Sequence, residues 1–411
     1  MTTARVGTGT VQEGEWVVSK QVSGHLRIVK AGIGGSIKMK KRLVSTANFT
    51  GHTYGSVFDV VPIADSEDTE EAKAVRAEIA GLTQGSKKRK LKQIQVCKMV
   101  KRKDDEPSEY SGEVSGNVAP GSVTEDNRNL VDDGTSQKLT EAQINELTSN
   151  AAAGDEVVKA IVENSDTYQG KTAFSKEKYL KQKKKKFVYR SRVLRATART
   201  LAENYWEKSD PPGRRMGGVR WADTIPQILA YANVHAGARV LSFDSWGVVN
   251  GAVVERLGGY GKLYAAHADN RVMLGLVKFF NFSENVISTV STCALECMLG
   301  KEPIKAKHVE RMPSLGECDS LIITTEYEPM EMLKVLWCYL APSRPFVVHA
   351  ESIDALTRCK SYIESQAIGV RVKLTESWFS EMQVLPSRTH PHMIKSATGG
   401  YLLSGYKVLR E

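Results

Sequence analysis

The segment RVLSFDSWGVVNGAVVERLGG, residues 239–259, decides the fold of the larger part of this 411-residue chain. Its first part, residues 239–244, is a short apolar run that predicts a buried strand. Residues 249–257 follow as a helix that ends at Gly258 and Gly259. A buried strand that passes directly into a helix is half of a β-α-β unit, so we expect a mostly parallel sheet around it.

The same alternation continues toward the C-terminus. Five further runs predict strands, with helices between several of them: KLYAAHA, NVISTVS, SLIITTE, FVVHAE and VRVKLTE. Alternating strands and helices predict a doubly wound α/β domain. The last strand, residues 399–410, follows a proline-bearing loop, and we expect it to run antiparallel at an edge of the sheet.

The turn after strand 239–244 is the place where such a sheet would bind a nucleotide or S-adenosylmethionine. A site of that kind needs closely spaced glycines, because the backbone must approach the ligand. Here only Gly247 and Gly251 remain, and Trp246, Val248 and Val249 fill the space that a ligand would need. We therefore predict a Rossmann-like domain that binds no cofactor.

Acidic residues after the neighbouring strands do not restore a site. Asp269 follows the second strand, where it could meet a ribose, but capping a helix is the more economical role. Glu326 and Glu328 follow SLIITTE and are typical of the solvated start of a helix. The sequence contains no P-loop, no HExxH pattern and no Ser/His/Asp order, so we predict no catalytic residue.

Composition favours a polyanionic partner, since the net charge is +10. No stretch approaches the ~18 apolar residues of a membrane span, and the N-terminus lacks an apolar signal core, so we expect neither membrane insertion nor secretion. The cysteines form no CxxC pair and no zinc spacing. We predict that they are reduced core thiols of an intracellular protein and that no metal is bound: Cys97, Cys293, Cys297, Cys318, Cys338 and Cys359.

The segment SKEKYLKQKKKKFVYRSR, residues 175–192, carries the strongest signal for a partner. Its cations face a single acid, Glu177, and such a run stays in water or meets an anion. An apolar seam opposite the charges is predicted, because apolar residues recur near a seven-residue step, which is close to two helical turns: Tyr179, Leu180, Phe187 and Leu194. A helix anchored in this way suits a phosphate backbone, whereas a solvated face or a nuclear-import signal is the alternative. The predicted RNA contacts are Lys178, Lys181, Lys183, Lys184, Lys185, Lys186, Arg190 and Arg192.

The N-terminal residues 1–62 contain several short strands with turn signals, which predicts a small β-barrel. A third strand there is strongly basic. Such residues could touch phosphate, although more often they keep an edge strand soluble. We include these four as RNA contacts: Lys38, Lys40, Lys41 and Arg42.

Between the barrel and the α/β domain lie two segments of different character. Residues 63–154 are charged and polar with little apolar area, so we predict a disordered insert, with a short strand at 93–100 and a capping-box helix from Thr140. Residues 155–209 form a helical basic connector. The linker that follows, rich in Pro and Gly, opens the Rossmann-like domain at 210–411.

Four blocks of the sequence resemble one known family. They are GHTYGSVFDV, IVENSDTYQGKTAFSKEKYLKQKKKKF, WADTIPQILAYANVHAGARVL and SEMQVLPSRTHPHMIKSATGGYLLSG. Together they are similar to the non-catalytic subunit of the eukaryotic tRNA adenosine-58 N1-methyltransferase, over residues 11–62 and 155–411. The resemblance implies an N-terminal β-barrel and a C-terminal domain of the class I methyltransferase type.

The resemblance also implies a partner and roles for particular residues. A related catalytic subunit would bind S-adenosylmethionine, carry the catalytic aspartate and form a two-plus-two heterotetramer with this chain. Thr324 or Thr325 stands about where the catalytic relatives carry that aspartate. The lysine-rich segment matches the family's basic helix. A second matching loop implies a partner interface near the active site, formed by Arg388, Thr389, His390 and Pro391.

We therefore predict a nuclear, non-catalytic, tRNA-binding subunit that is needed for N1-methyladenosine formation in the T-loop. Adenosine-58 lies inside the folded tRNA elbow, so exposing its N1 needs an extended positive surface that grips the backbone. Two alternatives stay open. One is an RNA-binding regulator without an enzyme partner, and the other is a divergent RNA methyltransferase active by itself, in which Trp246 would have to swing away.

Overall fold

The computed structural model describes residues 9–63, 69–83, 95–102, 136–150, 154–168, 171–207, 219–268, 275–300, 312–384, 389–391, 393 and 398–409. The chain forms two compact units, the N-terminal unit Gly7–Arg195 and a C-terminal unit that contains Ala196–Glu411. Within the described ranges, no helix has the length and apolar character needed to cross a bilayer. The same ranges contain no group of three or more His, Cys, Asp or Glu side chains arranged to hold a metal ion.

The N-terminal unit is built on a seven-stranded sheet with the order β2-β1-β7-β5-β6-β4-β3. Its strands are β1 (Trp16–Gln21), β2 (Leu26–Lys30), β3 (Ser36–Met39), β4 (Arg42–Ser45), β5 (Val57–Pro62), β6 (Gln95–Lys101) and β7 (Arg190–Arg195). Neighbouring strands are antiparallel except β4 and β6, which are parallel.

This sheet is nearly closed. Its two end strands, β2 and β3, are consecutive in the chain and approach each other. The Thr46 hydroxyl, just after β4, donates to the carbonyl of Lys30 at the end of β2 over 2.7 Å. A side chain at Gly35 would collide with that carbonyl and with Thr46, so only glycine permits the approach. The concave side encloses a core that includes Val17, Phe49, Phe58, Met99 and Val193.

Part of the predicted insert belongs to the folded unit. β6 lies between β5 and β4 and buries Cys97 and Met99, and α1 (Glu70–Thr83) buries Ala72 and Val75. The predicted strand at 93–100 is thus confirmed, and disorder is the wrong prediction for these segments. The many charged residues made these segments look disordered in the sequence, because only alternate residues of β6 face the core. Residues 64–68, 84–94 and 103–135 lie outside the described residues.

Three helices lead from this region back to the sheet: α2 (Glu141–Asn150), α3 (Gly154–Glu163) and α4 (Ala173–Phe187), which we call the basic helix. The capping box predicted at Thr140 is present: the Gln143 side-chain oxygen accepts from the Thr140 amide over 2.9 Å, and the Thr140 hydroxyl accepts from the Gln143 amide over 3.3 Å. The chain then enters β7. The boundary between the two units therefore falls after Arg195, earlier than the predicted residue 209.

The C-terminal unit has the predicted α/β architecture. Its main sheet has the order β10-β9-β8-β11-β12-β16-β13, and β14 and β15 form a separate two-stranded sheet. The strands are β8 (Arg239–Asp244), β9 (Lys262–His267), β10 (Val290–Ala294), β11 (Ser320–Thr324), β12 (Pro345–Ala350), β13 (Gly369–Trp378), β14 (Met382–Gln383), β15 (His390–Pro391) and β16 (Thr398–Lys407). The helices are α5 (Ala198–Glu207), α6 (Thr224–Tyr231), α7 (Val248–Leu257), α8 (Glu284–Ile287), α9 (Leu295–Met298), α10 (Pro329–Leu336) and α11 (Ile353–Ser365).

The five strands from β10 to β12 in this order are parallel, and β16 is antiparallel to β12 and to β13. The predicted antiparallel direction of the last strand is confirmed, but its predicted edge position is wrong, because β13 holds the edge. Burial agrees with this order, since Leu402 and Leu403, on opposite faces of β16, are completely buried, whereas most of β13 is half-buried or exposed. The prediction that all six cysteines are core thiols is corrected at two positions: none of the six forms a disulfide, but Cys297 is half-buried and Cys338 is exposed.

Candidate nucleic-acid interface

The basic helix has an apolar side that is docked and a charged side that is not. Thr172 caps its start, where the Thr172 hydroxyl accepts from the Ser175 amide over 3.3 Å. Phe187 is buried in a small core with three residues of α3, and Tyr179 and Leu180 pack against that core. The predicted seam is therefore confirmed for Tyr179, Leu180 and Phe187 and is wrong for Leu194, which lies in β7 beyond the end of the helix. Opposite the seam, Lys178, Lys181, Lys185 and Lys186 are exposed and Lys183 and Lys184 are half-buried.

The C-terminal end of the basic helix is held by cations from the sheet. The Lys40 ammonium donates to the carbonyls of Lys186 and Lys185, over 2.7 and 3.3 Å. Partial burial lowers the pKa of Lys40, and the charges of Lys186 and Arg42 lower it further. A cation at this end also satisfies the helix dipole. Lys40 thus positions the basic helix.

Arg42 has a similar anchoring role. Its guanidinium is buried, lies 4.2 Å from the ring centroid of Tyr189, and donates to the carbonyl of Thr148 over 2.9 Å. The prediction of an RNA contact at Arg42 is therefore corrected to a structural role. Lys38 and Lys41, the other predicted contacts on this hairpin, are exposed.

Arg190, predicted as an RNA contact, lies inside the N-terminal unit. Its side chain is only 5% exposed and pairs with Asp59 over 2.7 Å and with Asp155 at the start of α3. Arg102 pairs with the same two carboxylates, over 3.6 and 3.3 Å. Arg190 therefore ties α3 to the sheet, and the predicted contact is wrong. Arg192 is half-buried in β7, between β1 and β5.

In the C-terminal unit, the carboxyl ends of β8 and β11 are the place where a ligand crevice would form, because the strand order reverses between them. Asp244 is fully buried there, and hydrogen-bond donors surround it, among them the backbone of Gly247. Its carboxylate accepts from the Trp246 amide over 3.0 Å, from the Asn250 amide over 2.9 Å and from the Thr324 hydroxyl over 3.3 Å. Burial raises the pKa of Asp244, and these donors oppose the rise.

The neighbouring groups at this edge are also bonded to each other. The Ser245 amide donates to the Thr324 carbonyl over 2.9 Å, and the Glu326 amide donates to the Ser245 hydroxyl over 3.3 Å. A side chain at Gly251 would collide with the Phe280 ring, so this glycine serves packing. Glu326 is exposed, which agrees with its predicted place at a solvated helix start.

The remaining residues predicted at this edge lie mostly at helix starts. Val248 and Val249 are buried in the first turn of α7, and Trp246 is half-buried. Glu328 is exposed at the start of α10 and pairs with Arg358 over 3.0 Å. Asp269 lies outside the described residues.

The predicted interface loop is supported from beneath by a buried polar cluster. The Gly399 carbonyl accepts from the Thr224 hydroxyl over 3.0 Å and lies 3.1 Å from Nε2 of His349. Arg220 forms a two-bond pair with Asp223, over 2.9 and 2.6 Å. Burial lowers the pKa of His349 to about 4.

The same Arg220 guanidinium lies 5.5 Å from the ring centroid of Phe379, which precedes the loop. Both ends of the loop therefore rest on one cluster. Thr389, His390 and Pro391 are exposed, and His390 and Pro391 pair with β14. Arg388 lies outside the described residues.

A model of the Gcd10p family matches residues 10–314 of the chain. The chain belongs to the Gcd10p family. A mouse relative, named tRNA (adenine(58)-N(1))-methyltransferase non-catalytic subunit TRM6, is 26% identical over 99% of this chain and 90% of its own length. The subunit of the same name from Dictyostelium discoideum is 26% identical over 100% of this chain and 81% of its own length.

The Schizosaccharomyces pombe member of that name is 27% identical over 69% of this chain and 76% of its own length. Among solved structures, tRNA (m1A58) methyltransferase TrmI from Aquifex aeolicus aligns with a TM-score of 0.48 and 11% identity, over 98% of this chain and 100% of that chain. The resemblance found in the sequence is thus confirmed at the level of the family.

Proposed function

We propose that this Gcd10p family member is the non-catalytic, tRNA-binding subunit of a tRNA adenosine-58 N1-methyltransferase. The observation that carries the proposal is the basic helix, whose apolar side is docked while its lysines point outward. The names of the relatives that align with nearly the whole chain support it. A docked helix holds its ammonium groups at fixed spacing, and phosphates are bound in this way without base-specific contacts.

The C-terminal unit supports the non-catalytic part of the proposal. Asp244 uses both carboxylate oxygens within the chain, and Thr324 donates to it, so neither side chain is poised to act on a substrate. We propose that the N-terminal unit is a β-barrel that grips tRNA and that the C-terminal unit is a Rossmann-like domain of the class I methyltransferase type. S-adenosylmethionine would be bound by the catalytic partner, and this chain would bind no cofactor.

The assembly we propose is a nuclear heterotetramer of two such chains and two catalytic subunits. The loop with Thr389, His390 and Pro391 would contact the partner near its active site. Exposed apolar side chains around that loop, including Trp378, Val384 and Met393, suit a protein interface.

The experiment that tests tRNA binding reverses the charge of Lys183, Lys184, Lys185 and Lys186 by substitution with Glu. We expect tRNA affinity to fall at least about 100-fold and the salt dependence to flatten by roughly one unit for each lost phosphate contact. Co-elution with the catalytic subunit should be unchanged. The matched control places the same four substitutions at lysines elsewhere on the surface: Lys159, Lys278, Lys334 and Lys360.

If the control lowers affinity as much as the test variant does, net charge and not the basic helix accounts for binding. If the test variant fails to assemble while affinity per complex is kept, the basic helix is structural. Calorimetry with S-adenosylmethionine addresses the alternative of an independently active enzyme. The lone chain should give no binding heat and should methylate transcript tRNA only with its partner.

A further inference from the structure

Two tyrosines lie side by side at the start of the basic helix. The ring centroids of Tyr168 and Tyr179 are 5.6 Å apart, with the ring planes inclined by 52°. Tyr168 lies in the turn before the helix, held where its amide donates to the Ser165 carbonyl and its carbonyl accepts from the Lys171 amide, each over 3.2 Å. Tyr179 packs in part against the small core of α3. The core therefore fixes the Tyr179 ring, and the Tyr168 ring beside it enlarges the aromatic surface.

Three ammonium groups surround this pair of rings. Lys176 lies over the Tyr168 ring, 5.9 Å from its centroid, and Lys171 and Lys183 lie over the Tyr179 ring, 5.9 and 5.0 Å from its centroid. Lys176, Tyr179 and Lys183 are spaced by three and four residues, so they share one face of the helix. In the part of the chain that the structure describes, none of the three lysines forms an ion pair with a carboxylate. The nearby Asp166 pairs instead with Lys138, over 2.7 Å.

A phosphate-binding face needs cations only, and the aromatic pair adds a second kind of surface. The faces of unstacked nucleobases bind to aromatic rings, while the phosphates on either side bind to ammonium groups. A base inside a continuous duplex has both faces covered and could not use such a surface. Burial, and then Tyr179, raises the pKa of Tyr168, so its phenol is uncharged at neutral pH and does not repel phosphate.

We propose that Tyr168 and Tyr179 form a stacking surface for an unpaired RNA base, with Lys171, Lys176 and Lys183 binding the adjoining phosphates. The inference rests on the proposed function and narrows its substrate class to RNA that presents an unstacked nucleotide. It also separates the basic helix into two parts. The first part, at these tyrosines, selects for an exposed base, and the second part, from Lys184 onward, binds phosphate without regard to structure.

The test compares Tyr168→Leu with Tyr168→Phe in the full-length chain. The probes are a single-stranded ten-nucleotide RNA with a central 2-aminopurine, the same RNA as a duplex, and heparin. Stacking on an aromatic ring should quench 2-aminopurine fluorescence. For Tyr168→Leu we expect about tenfold weaker binding of the single strand and loss of the quench. Heparin binding and the salt dependence should not change.

The conservative variant should keep the behaviour of the wild type, because Tyr168→Phe retains the ring and loses only the hydroxyl. Tyr168→Trp offers a larger face and provides a second test if the leucine variant does not fold, which a thermal melt would show. We expect Tyr168→Trp to bind the single strand at least as tightly as the wild type. The inference is overturned if Leu, Phe and Trp variants bind the single strand equally, or if binding of heparin falls in parallel.

These outcomes are distinguishable from failure of the proposed function. A quench that depends on Tyr168, in a chain that does not bind tRNA, would support the stacking surface and overturn the tRNA-binding proposal. Charge reversal of Lys183–Lys186 could instead abolish tRNA binding while Tyr168→Leu has no effect on either RNA. That result would support the tRNA-binding proposal and overturn the stacking surface.

Discussion

The basic helix and the carboxyl edge of the C-terminal sheet both concentrate polar groups, yet they use them in opposite ways. At the edge, Asp244 and Thr324 bond within the chain and are at most 2% exposed. On the basic helix the apolar residues pack against α3, and Lys178 and Lys181 are exposed to solvent. Polar groups that are already satisfied have little to offer a ligand, whereas solvated cations are available to one. We therefore propose the basic helix, and not this sheet edge, as the binding surface.

The side chains that hold the basic helix and its neighbour α3 in place are also cations. Lys40 bonds to the end of the helix, and Arg190 pairs with two carboxylates in the interior. The same kind of residue therefore serves as anchor or as contact according to its partner.

The largest effect is expected for Arg190→Met. The substitution removes the buried guanidinium that pairs with both Asp59 and Asp155, and breaking a buried ion pair in this way costs roughly 3–5 kcal/mol in the free energy of unfolding. Urea unfolding of the full chain measures it. The matched control is Lys181→Met, an exposed lysine on the basic helix, which should change stability by less than about 0.5 kcal/mol. Equal effects of the two substitutions would show that Arg190 is not an internal anchor.

Acid should lower the free energy of unfolding, because His349 lies buried near the carboxyl end of β12. Its pKa is about 4 in the folded chain and about 6.5 when unfolded. Between these values the unfolded state binds the extra proton, so the stability contributed by neutral His349 is complete above pH 6.5 and is lost as the pH falls toward 4. The loss amounts to about 3 kcal/mol. Urea unfolding of wild type and His349→Gln from pH 7 to pH 4.5 measures it.

The glutamine variant keeps a donor for the Gly399 carbonyl and cannot titrate. We therefore expect its unfolding free energy to depend less steeply on pH than that of the wild type. Identical slopes would mean that His349 does not stay neutral and buried in the folded state.

A smaller effect, about 2 kcal/mol, is expected for Asp244→Asn. The amide group of asparagine would face one of the N–H donors that now bond to the carboxylate, and a buried donor without an acceptor costs roughly 1–3 kcal/mol. Thr324→Val removes only the hydroxyl bond and serves as the milder control, at about 1 kcal/mol. Unchanged stability of Asp244→Asn would show that this carboxylate does not lock the edge.

The smallest effect is expected for Lys40→Met. It removes the cation from the end of the basic helix and should cost less than about 1 kcal/mol. Amide hydrogen exchange over residues 184–187 should become faster, because the last turn loses an anchor. Lys38→Met, on the same hairpin and exposed, should leave that exchange unchanged. If the two variants exchange alike, Lys40 does not hold the helix.

Local patterns were good predictors where the local sequence is decisive. The strand at 239–244, the capping box at Thr140 and the seam of the basic helix all depend on residues a few positions apart, and each is present. The place of β16 was not predictable in this way, because a strand's neighbours depend on the packing of the whole sheet. The tyrosine surface was also missed, although the interleaved DTYQGKTAFSKEKY, residues 166–179, carries its signal.

By itself, the sequence determined the family, the α/β architecture and the existence of an amphipathic, lysine-rich helix, since these follow from periodicity and from contiguous blocks of residues. Only the tertiary structure decided which cations of that region face solvent. Arg190 differs from the lysines before it because Asp59, 131 positions earlier, lies opposite it in the folded sheet. A charged side chain becomes an internal anchor or a surface contact according to the groups that folding brings beside it, and those groups are distant in the chain.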